Sequence, residues 1–272
     1  MASVIDEKFL TGEAIYGDDF TIEQIQQWYD EETEAYADLG SKDASEYVYG
    51  YHALNKLHGF NYLPKGRFEN VLGLGAAWGH EFFPIIDRID NLHIVEPSDN
   101  LQSEKLGNLK PIYKKPAVSG ELPYPDNMFD LVTCSGTIHH TPNVSFILSE
   151  LHRVLKPGGY LLLREPVISM GDWTKPRKGL TKNERGIPIN IFRKIFSDLK
   201  MEIVHEGFCF CMTAFFQRIW GKVFKKAIFT YKSYVWLDKY LSKLFLWNLH
   251  YHADSKLQRI APQSVFYVLK KK

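Results

Sequence analysis

Apolar residues recur with two different spacings along the chain, and the change of spacing marks its elements. Between residues 68 and 210, short apolar runs such as Val71–Leu74 alternate with segments such as Val144–Leu155, in which apolar positions lie three and four residues apart. The first pattern is typical of buried strands and the second of amphipathic helices. Strands that alternate with helices predict an α/β fold with a mostly parallel sheet.

The pattern predicts seven strands, with helices between several of them. The strands are Val71–Leu74, His93–Val95, Pro111–Tyr113, Phe129–Cys134, Tyr160–Leu163, Met201–Phe210 and Val265–Leu269. The helices are His80–Ile89, Val144–Leu155 and Ile189–Leu199. In a parallel sheet the carboxyl ends of the strands share one edge, where ligands bind. The residues that follow these strands are therefore the first candidates for function.

The chain before the first strand reads as helical. Thr21 and Gln24 have the spacing of a capping box, which predicts a helix that begins here and ends at Gly40. A second helix is predicted over residues 44–57. It carries three tyrosines, Tyr47, Tyr49 and Tyr51, which either pack in the core or form a lid over a ligand.

Residues 211–263 repeat the helical pattern with many aromatic residues. Apolar positions from Met212 to Ile228 follow helical spacing, with basic residues on the other face, and a second stretch begins at Leu237. Such a stripe packs against the sheet, as most helical apolar stripes do, or faces an anionic membrane. The second interpretation makes residues 211–250 a peripheral membrane contact.

Charge is divided unevenly although the 272-residue chain has a net charge of only +1. Residues 1–60 hold 13 acids and 3 lysines, a net charge of −10, whereas residues 218–250 hold seven basic residues and one acid, a net charge of +6. Near-neutrality argues against nucleic acid as a partner, since nucleic-acid binders are usually strongly basic. The basic end instead suggests an anionic lipid or a phosphate.

The three cysteines indicate neither a disulfide framework nor a metal site. Cys209 and Cys211 are too close in sequence to bridge comfortably, and no set of cysteines and histidines has zinc-binding spacing. We therefore expect no metal and a reducing compartment. The first ten residues lack the apolar core of a signal peptide, so the expected location is the cytoplasm, with peripheral contact at the inner membrane face as an option.

Glycines follow the first predicted strand, in the segment from Gly73 to Gly79. Glycines at a strand-to-helix turn let the backbone approach a ligand closely. Glu96 ends the next strand, 23 residues after Gly73, where a carboxylate can accept hydrogen bonds from ribose hydroxyls. Three residues separate Gly75 from Gly79, whereas the dinucleotide fingerprint has two, so the spacing favours S-adenosylmethionine over a dinucleotide.

Four segments together resemble the class I S-adenosylmethionine-dependent methyltransferases of the type 11 group. They are Val71-Leu72-Gly73-Leu74-Gly75 through Gly79, Val95-Glu96-Pro97-Ser98, Leu122–Asn127 leading to Phe129-Asp130-Leu131-Val132, and Leu151–Gly159. The resemblance implies a Rossmann-like seven-stranded sheet of order 3-2-1-4-5-7-6. It also implies four parts: an N-terminal helical cap (1–67), a donor-binding core (68–210), a helical insertion (211–263) and the last strand (264–272).

The resemblance also implies a set of residues around S-adenosylmethionine. Gly73, Gly75 and Gly79 would face its amino-acid part, Glu96 its ribose, Val118 and Ser119 its adenine, and Ser135 its methionine end. This chain departs from the family at three positions. The family usually has an acid at Gly73, a glycine at Ala77 and an aspartate at Val118.

Candidate catalytic residues follow the fourth and fifth strands. His139 and His140 lie where the acceptor should bind, and histidine titrates near neutral pH, which suits a general base. The pair otherwise packs under the cofactor, as it often does in this family. Glu165 could orient a hydroxyl or a base, or simply pair with a neighbour.

The function expected from these residues is methyl transfer to an oxygen of a sugar or sugar-phosphate in surface-glycan synthesis. The end of the chain, from Arg259 to Leu269, weakly resembles methyltransferases of bacterial polysaccharide synthesis. The alternatives are another small-molecule or lipid-quinone-like acceptor, or a non-catalytic scaffold with the methyltransferase fold.

Overall fold

The computed structural model describes residues 6–39, 47–171, 177 and 179–272. Its centre is a seven-stranded sheet of order β3-β2-β1-β4-β5-β7-β6, which confirms the predicted fold class. The strands are β1 (Phe68–Leu74), β2 (Ile89–Val95), β3 (Ile112–Lys114), β4 (Phe129–Ser135), β5 (Leu155–Pro166), β6 (Glu202–Cys209) and β7 (Ser264–Lys270). Strands β1 to β5 are parallel, and β7 runs antiparallel between β5 and β6.

Seven α-helices surround the sheet in the described part of the chain. They are α1 (Glu7–Thr11), α2 (Ile22–Leu39), α3 (His52–His58), α4 (Val144–Val154), α5 (Ile189–Asp198), α6 (Thr213–Trp220) and α7 (Lys232–Leu244). The core has two layers, one on each face of the sheet. On one face Leu72, Val132 and Leu163 pack with α4 and α5, and on the other Val71, Leu131 and Leu162 pack with the segment after β1. Neighbouring residues of one strand serve opposite layers because side chains alternate.

Two predicted bounds change for local reasons. The segment predicted as helix His80–Ile89 is a 3₁₀ helix over His80–Arg88 with Pro84 inside it. Proline lacks the amide that an α-helix needs, and short 3₁₀ turns tolerate the loss. Strand β5 begins at Leu155, five residues before the predicted start, because Phe129 of β4 pairs with Leu155 before the register shifts.

The first cap helix is confirmed at its start. The Thr21 amide donates to Gln24 Oε1 at 2.9 Å, and the Gln24 amide lies 3.5 Å from Thr21 Oγ1, as a capping box requires. The predicted helix end at Gly40 and the beginning of the second helix at residue 44 lie outside the described residues. Within them, α3 begins at His52, so the three tyrosines precede this helix.

The insertion differs most from its prediction. The apolar pattern from Met212 to Ile228 does not form one helix, because α6 ends at Trp220 and turns follow. Its apolar side chains do not all face the sheet either: Phe215 and Ile219 are each more than half exposed. The helical spacing was real over α6, but the expectation that this stripe packs against the sheet was wrong.

Candidate functional site

The glycine turn after β1 is shaped by contacts that leave no room for side chains. Gly75 has φ +63°, and a Cβ there would lie 2.4 Å from the Thr137 side chain. A Cβ on Gly73 would lie 2.7 Å from Ala76 Cβ, and Gly79 has φ +77°. Ala77 takes the left-handed conformation itself, with φ +46°, where the family usually has glycine. The departure at Ala77 therefore costs strain but keeps the turn.

Glu96 closes this turn from the neighbouring strand. It is 5% exposed, and its two carboxylate oxygens accept from the amides of Ala77 at 3.2 Å and Ser98 at 3.1 Å. Burial raises the pKa of Glu96, while these two hydrogen bonds lower it. From the cap helix α2, Tyr29 interacts electrostatically with Glu96, and burial with this interaction raises the pKa of Tyr29 to about 12. A buried carboxylate thus stands beside the glycine turn, below the cap.

The remaining predicted donor contacts lie along the same edge. Val118 and Ser119 form a half-buried turn after β3, and the Ser119 carbonyl accepts from Asn143 Nδ2 at 2.7 Å. Ser135 is the last residue of β4 and is paired with Arg164 of β5. All seven residues that are predicted to bind S-adenosylmethionine therefore lie in or just after β1 to β4.

His139 lies between two carboxylates in the loop after β4. Its Nδ1 is 2.6 Å from Glu165 Oε2, and its Nε2 is 3.4 Å from Glu184 Oε1. Burial opposes the charge on His139, but the two glutamates outweigh it and raise its pKa to about 9. Glu165 Oε1 also accepts from the amides of Thr137 and Ile138, which fixes the loop. His139 is therefore protonated at neutral pH and is held in place.

The charge on His139 makes stability depend on pH. An unfolded histidine titrates near 6.5, whereas the folded His139 keeps its proton up to about pH 9. Its contribution is complete below pH 6.5 and is lost as pH rises, so we expect the free energy of unfolding to fall by about 2 kcal/mol between pH 6.5 and 8.5. Chemical denaturation at several pH values measures this change.

The matched variant for this measurement is Glu184→Gln, which removes one of the two charges beside His139. We expect it to reduce the fall in stability over the same range. A substitution at the exposed His250 should leave the fall unchanged. Equal stability of the parent protein at both pH values would contradict the charge assigned to His139.

His140 faces the cap helix α2 rather than the sheet. Its Nδ1 is 3.1 Å from Glu32 Oε2, and its carbonyl accepts from Trp28 Nε1 at 2.7 Å. Its side chain is 18% exposed, against 9% for His139. His140 also interacts electrostatically with Glu184, so two glutamates lie near its ring.

A buried arginine fixes the loop that carries both histidines. The guanidinium of Arg185 donates to the carbonyls of Tyr16, His139 and Pro142 at 2.9–3.0 Å. Arg185 is fully buried and lies 5.1 Å from the Trp28 ring. It therefore ties the N-terminal region to the segment after β4.

Three side chains of this region also have the composition of a metal site. The ligand atoms of His139, His140 and Glu184 lie within 4.8 Å of one another. The ion pairs of His139 with Glu165 and Glu184 already account for the arrangement, so we assign no metal to it. The sequence prediction that the protein uses none stays a prediction.

A second polar cluster lies on the opposite face of the sheet. Glu81 is buried and accepts from Thr133 Oγ1 at 2.5 Å and from Tyr49. Arg164 contributes a nearby positive charge, and its guanidinium lies 4.3 Å from the ring centre of Tyr51. Thr133 pairs with Gly73 in register, so Glu81 accepts a hydrogen bond from the residue beside Gly73 on the neighbouring strand.

Two of the tyrosines that were considered as a lid pack against different parts of the protein. Tyr47 packs on Trp78, with ring centres 4.7 Å apart, at the glycine turn. Tyr51 stacks on Phe229 of the insertion, with rings parallel and 4.7 Å apart. Tyr51 and Phe229 also line a cavity of about 310 Å³ with Phe210, Thr213 and Ser264, at the carboxyl end of β5. A larger cavity, of about 560 Å³, lies between α1 and α5 and contains none of the predicted site residues.

The central part of the chain is similar to known proteins. Residues 72–163 match a family described as a methyltransferase domain. A stretch of 65 residues is 38% identical to demethylmenaquinone methyltransferase of Geobacillus kaustophilus, over 24% of this chain and 26% of that enzyme. The chain spans less than half the length of the curated relatives that it matches.

Solved structures resemble the chain over most of its length. An S-adenosylmethionine-dependent methyltransferase from Mesorhizobium loti superposes with a TM-score of 0.51 at 14% identity, over 78% of this chain and 94% of that chain. The cyclase SpnF superposes with a TM-score of 0.56 at 16% identity, over 94% and 98%. At these identities the similarity shows a shared fold.

The sequence analysis included Glu165 but missed Glu32 and Glu184, the other partners of the two histidines. Glu32 and Glu184 lie 108 and 45 residues from the histidines that they contact, in segments without a recognisable motif. Glu32 is one of the 13 acids in residues 1–60, and its sequence position does not distinguish it from the others. The one available signal was the cluster Asn183-Glu184-Arg185 just before the predicted helix Ile189–Leu199.

Proposed function

We propose that this protein, whose residues 72–163 form a type 11 methyltransferase domain within a class I fold, transfers a methyl group from S-adenosylmethionine to an acceptor oxygen. The observation that carries the proposal is the position of Glu96. Its buried carboxylate lies at the end of β2, beside the glycine turn, where it can accept from two ribose hydroxyls.

The residues present fit this donor. A side chain at Gly75 would clash with Thr137, so this position requires glycine. The glycine leaves the backbone of the turn accessible to a ligand. In this proposal Gly73, Gly75 and Gly79 border the amino-acid part, and Val118 and Ser119 the adenine. Ser135 borders the methionine end. The donor supplies a methyl group already activated on a sulfonium, so the protein mainly aligns the acceptor and removes its proton.

His140 is the general base of the proposal. Glu32 holds a proton on Nδ1, and Nε2 takes the proton of the acceptor hydroxyl as its oxygen attacks the methyl carbon. The carbon–sulfur bond breaks in the same step, so the products are a methyl ether, S-adenosylhomocysteine and a protonated His140. Water then removes this proton.

His139 and Glu165 have positioning roles in this scheme. Because His139 is already protonated between two glutamates, it is a poor base at neutral pH. Glu165 is fully buried and binds two loop amides together with His139, so it holds the backbone that places His140. Neither group needs to touch the acceptor.

For the acceptor we propose a hydroxyl of a lipid-carried sugar or sugar-phosphate. Two observations support it. The cavity of about 310 Å³ is lined by three aromatic residues, and Arg164 contacts one of them, Tyr51. Arg164 is 9% exposed, and its Nε has no hydrogen-bond partner among the residues that the structure describes, so an anionic group of the acceptor would complete its contacts. A glycan phosphate offers such a group.

A lipid-quinone-like acceptor is the second candidate. It is favoured by the similarity to a demethylmenaquinone methyltransferase, although this similarity covers only 24% of the chain. An apolar cavity suits a quinone ring as well as a lipid chain, but a quinone gives Arg164 no phosphate. Arg164→Met should therefore reduce turnover of a phosphorylated acceptor more than that of a quinone.

Calorimetry with S-adenosylmethionine tests the donor assignment, and transfer of a labelled methyl group to extracted lipid-linked glycans and quinones tests the acceptor. We expect binding of the donor and label in the glycan fraction. No binding at millimolar donor would support a non-catalytic scaffold and overturn the proposal. Label in the quinone fraction alone would leave the enzyme and replace its acceptor.

A further inference from the structure

We propose that the insertion docks on the surface of a bilayer of anionic phospholipid, through a set of exposed apolar and basic side chains on α6, α7 and the segments that follow them. This set is called the outer face below. The proposal concerns a surface and does not depend on the donor chemistry. No helix among the described residues is long and apolar enough to cross a membrane, so the contact proposed is peripheral.

Helix α7 turns apolar side chains toward solvent. Leu237, Tyr240 and Leu244 share one face of the helix and are 50–63% exposed, and Trp247 beyond its end is 78% exposed. The buried face of the same helix combines Tyr234 and Val235 with Asp238 and the fully buried Ser242. The helix therefore has a second apolar face, which solvent covers, whereas a surface helix of a soluble protein usually exposes polar residues there.

The orientation of α7 is fixed by hydrogen bonds. Asp238 Oδ2 accepts from the Phe210 amide at 2.7 Å, and Oδ1 lies 3.4 Å from Thr213 Oγ1. Tyr234 donates to the same Thr213 oxygen at 2.8 Å. Because Asp238 must face inward to make these contacts, Leu237 and Leu244 are held outward. The exposed apolar face is therefore a built feature of the insertion.

Helix α6 and the turn after it add a second group of exposed apolar residues. Phe215 and Ile219 lie one helical turn apart and are 53% and 55% exposed, and Val223 is 74% exposed. Phe224 is also exposed and stacks on Trp220, with ring centres 4.1 Å apart. Large apolar groups of this kind usually mark an interaction site.

The positive charge of the insertion favours an anionic bilayer as the surface that it contacts. Residues 213–247 carry Arg218 and six lysines, and their one acid, Asp238, is buried. Arg218, Lys222, Lys225 and Lys226 are exposed among the apolar residues of α6 and its turn. Aromatic and aliphatic side chains mixed with basic ones are complementary to a bilayer, whose interior is apolar and whose anionic headgroups are negative. A protein partner would need a matching acidic and apolar groove.

The outer face also continues into the cavity beside the sheet. Thr213, Ala214 and Gln217 of α6 line the cavity of about 310 Å³, while Phe215 and Ile219 of the same helix belong to the outer face. One helix thus separates the proposed lipid surface from the carboxyl end of β5. Docking through this helix would bring a membrane-held acceptor next to the cavity.

Vesicle sedimentation tests the proposal with the full chain. We expect binding to vesicles of phosphatidylcholine mixed with phosphatidylglycerol, weak binding to phosphatidylcholine alone, and at least a tenfold weaker partition coefficient at high salt, roughly as screening of surface charges requires. Equal binding to both lipids, or no binding to the anionic vesicles at low salt, would overturn the proposal.

Two pairs of variants separate the outer face from general stickiness. Leu244→Ser with Trp247→Ser should lower the partition coefficient about tenfold, because these side chains enter the interface. Ile112→Ser on β3, at the opposite edge of the sheet and 46% exposed, should leave it unchanged. Lys225→Glu with Lys226→Glu should abolish binding, whereas Lys105→Glu with Lys110→Glu should not.

The same variants exclude another occupant. All the substituted side chains are exposed, so circular dichroism and thermal unfolding should match the parent protein. If the outer face instead joined two copies of the chain, the parent would sediment as a dimer in solution and the Leu244→Ser, Trp247→Ser variant as a monomer. That result, or equal vesicle binding by the outer-face and Ile112→Ser variants, would overturn membrane docking.

Discussion

Replacing His140 with asparagine should lower kcat about a thousandfold while leaving affinity for the donor unchanged. Asparagine can keep a hydrogen bond to Glu32 but cannot accept the proton of the acceptor hydroxyl. The loss therefore falls on the chemical step. Steady-state kinetics with labelled S-adenosylmethionine measures kcat, and calorimetry measures donor binding.

Two controls make this result specific to His140. Glu32→Gln should lower kcat by a smaller factor, about tenfold to a hundredfold, because the histidine remains but loses its orienting charge. His250→Asn, at an exposed position, should have no effect. A His140→Asn variant with near-parental kcat would remove the base role from His140.

The second large effect is expected at Glu96. Glu96→Gln keeps the size of the side chain but replaces a charged acceptor by a neutral amide, one of whose atoms is a donor. Two charge-assisted hydrogen bonds to ribose hydroxyls are lost or weakened, which corresponds to about a hundredfold weaker donor binding. Calorimetry with S-adenosylmethionine and with S-adenosylhomocysteine should show the same loss, because both carry the ribose.

An acid on the surface, Glu104, provides the control for the buried Glu96. Glu104 is exposed, and Glu104→Gln should bind the donor like the parent protein. Because Glu96 also accepts from Ala77 and Ser98, the thermal stability of the variant must be measured beside its affinity. A well-folded variant with parental affinity would refute the ribose assignment.

The sheet was predictable because its strands are nearly continuous apolar runs. Parallel strands buried on both faces leave a strong signal in sequence, and the order of the strands came from the family resemblance. The bounds were less accurate where pairing rather than composition decides them. Strand β5 includes residues 155–159, although Lys156, Pro157 and two glycines are typical of a loop. Backbone pairing decides this bound, because Leu155 pairs with Phe129 of β4 and Gly158 and Gly159 bond to Lys271 after β7.

The residues proposed to bind the methyl donor are easier to select from sequence than those around the histidines. Gly75 and Glu96 directly follow two predicted strands, so their positions at the edge of the sheet follow from the strand pattern. The contacts of His139 and His140 come from Glu32, Glu165 and Glu184, which three different parts of the chain bring together. Glu165 stands out in the sequence because it follows a predicted strand. Nothing in the local sequence distinguishes Glu32 and Glu184 from solvated acids, and only their burial in the folded chain shows their contacts.

The insertion shows a different limit of periodicity. Spacing identifies which residues share a helix face, but it does not say whether that face turns inward or outward. In α7, Asp238 faces inward together with Tyr234 and Val235, and its hydrogen bond to the Phe210 amide helps to fix this orientation.

The insertion leaves the sheet and returns to it at one point, because Cys209 at the end of β6 is paired with Ser264 at the start of β7. A short hairpin could join these two strands with the sheet register intact. If the insertion docks on a membrane as proposed, the segment between Cys209 and Ser264 could be exchanged for another one without changing the residues at the carboxyl ends of β1 to β4.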